Sequence, residues 1–128
     1  DKPHYNSSAP SAWDAIQWNA SLEELASRAG AVCFGTLGQR SALSRAAIRK
    51  FIQSTQRDAL RILDINLRPP FDDDAVILES LQLANTLKLN DEELPRLCEL
   101  LNIPGTDTQS ARRIMDLFDL RYVALTRG

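Results

Sequence analysis

The sequence predicts an α/β protein, in which a parallel β-sheet carries helices on both of its faces. Apolar stretches of strand length lie at residues 60–65 and 86–89, and residues 72–84 between them have helical spacing. Strand, helix and strand in this order form a βαβ unit, which requires parallel strands and a right-handed crossover. Both strands end in polar residues, and ligands of such sheets bind at the carboxyl ends of the strands. A ligand site is therefore expected at that edge of the sheet.

Length and composition are those of one globular domain spanning residues 1–128. Hydrophobic residues make up 44% of the chain, and the net charge of −2 favours neither nucleic acid nor an anionic membrane as a partner. No apolar run has the roughly 20 residues of a membrane-spanning helix, and no signal-peptide pattern opens the sequence. Cys33 and Cys98 lack C-x-x-C spacing, so we expect reduced, buried thiols in a cytoplasmic protein.

The amino-terminal part should contain an irregular leader, a helix and the first strand. Residues 1–11 have no periodicity and are rich in Pro, Ser and Asn. Ser21 and Glu24 have the spacing of a capping box, which would begin the helix there. A strand is expected at residues 31–35, followed by the turn Gly35-Thr36-Leu37-Gly38 and a helix over residues 44–56. Glycines permit close approach of the backbone to a ligand, but the spacing matches no nucleotide-binding motif.

Three polar residues alternate at the end of the strand at 60–65. In an extended segment Asp64, Asn66 and Arg68 would point the same way. They could anchor the following loop, because Pro69-Pro70 favours an extended exit from the strand. Alternatively, Arg68 could bind a phosphate or a carboxylate, for which its planar guanidinium is well suited. The residues alone support the two interpretations equally.

The second polar cluster follows the strand at 86–89. Asn90 is a good N-cap and Glu93 completes a capping box for the next helix, which is a sufficient structural explanation. Lys88 either pairs with Glu93 or faces the crevice, where it could neutralise a phosphate. Farther on, Thr106 or Asp107 can cap another helix, and the last strand is expected at residues 121–126.

D-x-N-x-R-P-P, followed by K-x-N-x-E-E, resembles the middle of the PfkB (ribokinase and fructokinase) family of carbohydrate kinases. The resemblance runs from the A-V-C-F-G-T-L strand to the A-L-T-R-G end, and so covers nearly the whole chain. It implies a ribokinase-like, Rossmann-type three-layer sandwich. It also implies that the sequence is incomplete, because the family's amino-terminal sugar-binding half and its carboxy-terminal G-x-G-D signature are missing here.

The resemblance implies an ATP-dependent kinase that transfers the γ-phosphoryl group to a sugar hydroxyl with Mg²⁺. The family base is the Asp of G-x-G-D, so no catalytic residue is expected in this chain, and the isolated chain should be inactive. The sugar is left open, and the parent protein could be a homodimer. The implied roles are substrate and phosphate binding for Asp64, Asn66 and Arg68; nucleotide binding for Lys88, Asn90, Thr126 and Gly128; and Mg²⁺ binding, through water, for Asn90 and Glu93.

Two other classes of protein compete with the kinase. A response-regulator receiver is also an α/β domain, and Asp64 and Lys88 could correspond to its strand-end Asp and Lys. However, a receiver needs an acidic pair after its first strand for Mg²⁺, and no acid occurs between Glu24 and Asp58. The other alternative is a non-catalytic, kinase-like scaffold that binds a partner through an uncovered face of its sheet.

Overall fold

The computed structural model describes residues 10–127 and contains one parallel four-stranded sheet. Its strands lie in the order β1-β2-β3-β4. The predicted α/β class, the parallel sheet and the central βαβ unit are confirmed. Most of the leader and Gly128 fall outside the described residues. The strands are β1 (Ala31–Phe34), β2 (Leu60–Asp64), β3 (Thr86–Asn90) and β4 (Tyr122–Thr126); the helices are α1 (Ala20–Arg28), α2 (Ala42–Gln53), α3 (Asp74–Leu83), α4 (Glu93–Leu100) and α5 (Thr108–Leu117), with 3-10 turns at Ala12–Ala15 and Leu37–Gln39.

Within the described residues the helices cover one face of the sheet, whereas the sequence analysis expected helices on both. The cause is the sequential strand order: right-handed crossovers that always step in the same direction place every connecting helix on the same side. Burial alternates accordingly along the strands, so that Leu63, Leu87 and Leu89 are buried while Cys33 and Ala124 are exposed. We call the second face of the sheet the uncovered face.

The hydrophobic core lies between the sheet and the helical layer. Its largest members are fully buried, and burial of such side chains stabilises the fold by about 1.5–3 kcal/mol each. Of the two thiols expected to be buried, Cys98 is in this core, but Cys33 is exposed because it points to the uncovered face. The fully buried apolar side chains are Ile52, Leu63, Ile65, Ile77, Leu81, Leu87, Leu89, Leu94, Leu97 and Ile114.

Short polar side chains begin the helices. Asn19 rather than Ser21 caps α1, because Asn is an equally good N-cap and its Oδ1 accepts the Leu22 N–H at 3.0 Å. Asp73 caps α3, and Asp107 caps α5, as the sequence allowed. The second helix runs over Ala42–Gln53 rather than over residues 44–56. None of the described helices is long and apolar enough to span a membrane.

Candidate functional site

The prediction that Asp64, Asn66 and Arg68 point the same way is wrong, because the chain does not stay extended after β2. Asn66 has a left-handed backbone conformation with φ of 36°, which breaks the alternation of an extended strand. Asp64 and Asn66 line an open cavity of about 260 Å³ together with the turn at residues 35–38. Arg68 lines a different cavity of about 360 Å³, which lies beside Asn90 and Glu93. We call the first of these the turn cavity and the second the Arg68 cavity.

Lys88 forms an ion pair with Asp64, not with Glu93. Its Nζ lies 3.1 and 3.2 Å from the two carboxylate oxygens of Asp64. Asp64 and Lys88 are register partners on β2 and β3, so their side chains leave the sheet side by side on the uncovered face. Both side chains remain more than a third exposed to solvent. Of the two alternatives for Lys88, pairing with Glu93 is wrong, because both carboxylate oxygens of Glu93 accept backbone N–H groups.

Asn90 and Glu93 exchange the reciprocal hydrogen bonds of the predicted capping box across the turn of residues 91–92, which leads into α4. The Asn90 Oδ1 accepts the backbone N–H groups of Glu92 and Glu93 at 2.9 and 2.8 Å. In return, the Glu93 Oε2 accepts the Asn90 N–H at 2.9 Å. The second oxygen, Oε1, accepts the N–H of Leu67 at 3.0 Å. Glu93 is only 7% exposed. Its buried carboxylate therefore links the loop after β2, through Leu67, to the turn before α4, through Asn90.

Arg68 is the side chain in this region best placed to bind a ligand. It is exposed, and its guanidinium has no hydrogen-bond or ion-pair partner among the described residues. The side-chain amide nitrogen of Asn90, Nδ2, also lacks a protein partner within the described chain. Two donors therefore line one cavity and offer hydrogen bonds to an anion such as a phosphoryl group, while Asp72, Glu92 and Glu93 add negative charge to the same lining. The cavity is lined by Leu67, Arg68, Pro69, Asp72, Asn90, Glu92, Glu93 and Arg96.

Whether Asn90 and Glu93 can coordinate Mg²⁺ directly depends on whether their side-chain oxygens are free. No group of three or more His, Cys, Asp or Glu residues in the described part of the chain could hold a metal ion. Both oxygens of Glu93 and the side-chain oxygen of Asn90 already accept backbone N–H groups. Mg²⁺ keeps several waters in most protein sites. Asn90 and Glu93 therefore fit contacts to Mg²⁺ through water better than direct coordination.

The end of β4 lies beside the same helix start. Thr126 is the register partner of Asn90, and its carbonyl oxygen accepts the Asp91 N–H at 3.1 Å. The Thr126 hydroxyl donates to the Leu89 carbonyl over a longer distance of 3.4 Å. Thr126 thus lies next to Asn90, as the shared crevice of strand ends requires. Gly128, which was predicted with it, lies outside the described residues.

A buried polar network fixes the turn at residues 35–38. A Cβ on Gly35 would lie 3.0 Å from the Asp64 carbonyl oxygen, so the close approach of β1 and β2 favours glycine there. Gln39 is fully buried, and its Nε2 donates to the Gly35 carbonyl and the Ser80 hydroxyl, both at 2.9 Å. Thr36 donates to the Ile65 carbonyl at 3.1 Å. Sequence reasoning missed Gln39, because its partner on α3 is distant in the chain.

Arg40 organises a second cluster that sequence reasoning missed. Its Nε donates to Asp14 Oδ1 at 2.8 Å, and its Nη2 donates to Asp14 Oδ2 at 2.7 Å. The guanidinium carbon lies 4.8 Å from the centre of the Phe71 ring and 5.6 Å from that of Trp13. These hydrogen bonds from Arg40 lower the pKa of the Asp14 carboxyl to about 2. The only local signal was the capping box that Asp14 forms with Ser11.

The contribution of the Asp14 carboxylate to stability should depend on pH. Its pKa in the folded protein is about 2, below the value near 3.9 of an unfolded Asp. The stabilisation is therefore fully present above about pH 4 and is lost as the pH falls towards 2. We expect Asp14→Asn to lower the melting temperature at pH 6, with a difference from the unaltered protein that shrinks between pH 4 and 2. A difference independent of pH would assign the effect to packing.

Comparisons with known proteins identify the fold. No protein-family model matches the sequence, and no curated protein matches it. Among solved structures, the chain is similar to a fructokinase from Xylella fastidiosa, with 20% identity over 83% of this chain and a TM-score of 0.66. The same enzyme has also been solved with bound ATP.

Two further structures agree with this similarity. An uncharacterized sugar kinase from Pyrococcus horikoshii is 27% identical over 62% of this chain, with a TM-score of 0.55. An aminoimidazole riboside kinase from Salmonella enterica is 22% identical over 77%, with a TM-score of 0.53. The matches cover 29–35% of those proteins, so the chain spans about a third of their length. The chain therefore has part of the ribokinase-like fold of these sugar kinases.

Proposed function

We propose that the protein containing this chain is an ATP-dependent sugar kinase that transfers the γ-phosphoryl group to a sugar hydroxyl. The single observation that carries the proposal is Arg68, which is exposed and without a partner among the described residues, in a cavity that it shares with Asn90 and Glu93. The fold supports the same class of reaction. We propose further that the chain is the middle portion of this enzyme and that the enzyme is cytoplasmic.

Arg68 would act on the transferred phosphoryl group. Catalysis of phosphoryl transfer consists mainly of positioning the reactants and neutralising negative charge as the transition state forms. A guanidinium can donate two parallel hydrogen bonds to phosphate oxygens, and it keeps its charge at any physiological pH. The side-chain amide nitrogen of Asn90, Nδ2, lines the same cavity and would donate to the same anion. Neither group needs to move away from a protein partner to do so.

The nucleotide would lie along the ends of β3 and β4. Lys88 and Asn90 share one side of β3, and Thr126 is paired with Asn90 in register. We therefore assign Lys88, Asn90, Thr126 and Gly128 to the nucleotide. Mg²⁺ bound to the phosphates would supply neutralisation of their charge. Asn90 and Glu93 would contact that ion through water, while Glu93 holds the Asn90 and Leu67 amides in place.

The sugar would lie on the side of the turn cavity. Asp64 and Asn66 line that cavity together with Gly35 and Gly38, so carboxylate, amide and backbone groups face one space. Such groups accept and donate hydrogen bonds to sugar hydroxyls. Lys88 fixes the direction of the Asp64 carboxylate through their ion pair. Fructose, ribose, ketodeoxygluconate and nucleosides all remain candidate substrates.

The receiver alternative agrees less well with the topology. Receivers of the flavodoxin-like type place their first strand between the second and third, whereas here β2 lies between β1 and β3. Among the residues that the structure describes, Asp64 is also the only acidic one that lines the turn cavity, so these residues provide no acidic pair for Mg²⁺ there. The kinase therefore remains the better proposal.

A coupled assay of the full-length protein tests the proposed function. We expect ADP release that requires both a sugar and Mg²⁺, and that stops when EDTA removes the metal. The isolated 128-residue chain, measured in parallel, should release no ADP because the phosphoryl acceptor needs a base that this chain does not supply. Sugar-independent ATP hydrolysis, or no turnover with any of the four substrate types, would contradict the proposal. Sugar-dependent release of ADP by the isolated chain would contradict the expectation that this chain is inactive by itself.

A further inference from the structure

We propose that Arg40 is a positioning residue for Arg68. Together with Asp14 and Phe71 it fixes the loop of residues 66–72, on which the Arg68 guanidinium is carried to its cavity. The effect on catalysis rests on the proposed function, whereas the effect on the loop does not. Arg40 itself does not line the Arg68 cavity, so it would act through the loop rather than by touching a substrate.

The Arg40 guanidinium is a fixed group. Two hydrogen bonds to Asp14 set both its position and the direction of its plane, and its side chain is only 7% exposed, that of Asp14 12%. Asp14 is held in turn, because its Oδ2 accepts the Ser11 N–H and its carbonyl accepts the Ser41 hydroxyl. Asp14 therefore links the cluster to Ser11, which precedes it in the chain, and to Ser41, which precedes α2.

The loop reaches this cluster through Phe71. The ring of Phe71 lies against the guanidinium of Arg40, with 4.8 Å between the guanidinium carbon and the ring centre. The backbone N–H of Phe71 donates to the carbonyl of Arg68 at 2.8 Å and so closes a tight turn. Displacement of Phe71 would therefore displace the backbone of Arg68.

The loop has a second anchor at its other end. There the Leu67 N–H donates to Glu93, as described above. Between the two anchors the Arg68 side chain has no partner among the described residues that could hold it. Its average position thus depends on the backbone, and the backbone depends on Phe71 and Glu93. Loss of the Arg40 contact would free one end of a short loop.

Lysine cannot replace Arg40 in this arrangement. An ammonium group is a point charge without the planar fork that bonds both Asp14 oxygens and stacks on the Phe71 ring. Arg40→Lys therefore keeps the charge and removes the geometry. Asp14→Asn is a milder change of nearly the same shape, which weakens the hold on Arg40. Glu79→Gln is the matched control, because it weakens an arginine ion pair between α2 and α3, with Arg49, away from the loop.

Hydrogen exchange in the full-length protein tests the loop directly. We expect the Phe71 amide to exchange about tenfold faster in Arg40→Lys and in Asp14→Asn, since local opening becomes easier. Glu79→Gln should leave this amide unchanged. Equal exchange in the unaltered protein and both cluster variants would overturn the proposal, whether or not the protein is a kinase.

A double-mutant cycle on turnover tests the functional consequence. Arg40→Lys should lower kcat by about tenfold, because small displacements of a positioned group are costly. The same substitution in an Arg68→Ala background should cause almost no further loss of kcat, since the guanidinium that Arg40 positions is already absent. Equal losses in both backgrounds would overturn the positioning role. Absence of sugar-dependent turnover in the unaltered protein would refute the proposed function instead, and the exchange measurement would then decide the role of Arg40 alone.

Discussion

Arg68→Ala is expected to lower the turnover of the full-length protein by about a hundredfold or more while leaving its stability nearly unchanged. Removal of one preorganised donor to developing negative charge typically costs a factor of about 10² to 10³ in rate. Arg68 is exposed and has no partner in the described chain, so its loss should change the free energy of unfolding by less than about 0.5 kcal/mol. Steady-state kinetics and thermal unfolding measure the two effects separately.

Two further variants sharpen this experiment. Arg68→Lys keeps the charge without the planar fork, so we expect it to recover only part of the lost rate. Arg112→Ala removes an exposed arginine on α5, away from the Arg68 cavity. It should change neither the turnover nor the free energy of unfolding. If Arg68→Ala lowers the melting temperature and leaves the kinetics intact, then Arg68 serves the loop and not the phosphate.

Glu93→Ala is expected to destabilise the protein by about 2–4 kcal/mol. The buried carboxylate accepts the N–H groups of Leu67 and Asn90, and hydrogen bonds to a charged group contribute about 1.5–3 kcal/mol each. Its removal leaves two backbone donors without an acceptor and frees both the loop after β2 and the start of α4. The midpoint of urea unfolding measures the effect, provided that the slope is unchanged.

Controls separate the structural role of Glu93 from a role at the metal. Glu93→Gln keeps one acceptor oxygen and should lose roughly half as much stability. Glu99→Ala, at an exposed position on the same helix, should change the free energy of unfolding by less than about 0.5 kcal/mol. Loss of activity in Glu93→Ala with unaltered stability would show that Glu93 matters chiefly to the metal or the nucleotide.

Local patterns were sufficient to predict the sheet and part of the site. The spacing of apolar residues located β2, α3 and β3, and two short-range signals, Asn90 with Glu93 and Asp107, located helix starts. These features depend on residues within one turn of each other, so the sequence displays them directly. The polar strand ends likewise marked the edge of the sheet at which both cavities lie.

The remaining features depend on contacts between distant parts of the chain. The partner of Lys88 follows from the register of β2 with β3, and the direction of Asn66 follows from a positive φ that its neighbours in sequence do not reveal. The Arg40 cluster joins a segment before β1 to a loop after β2. Coverage of one face rather than two follows from the order of the strands. No local pattern contains this information.

The uncovered face of the sheet has a practical consequence for handling the isolated chain. Exposed Tyr122 and partly exposed Ile62 lie on that face, and β1 and β4 each pair on one side only within the described residues. An open edge with free backbone donors and acceptors is a template for strands of other molecules. Self-association at high concentration, through these edges or by burial of the uncovered face, would interfere with any ligand titration. Measurements on the fragment therefore call for dilute solutions and a check of particle size.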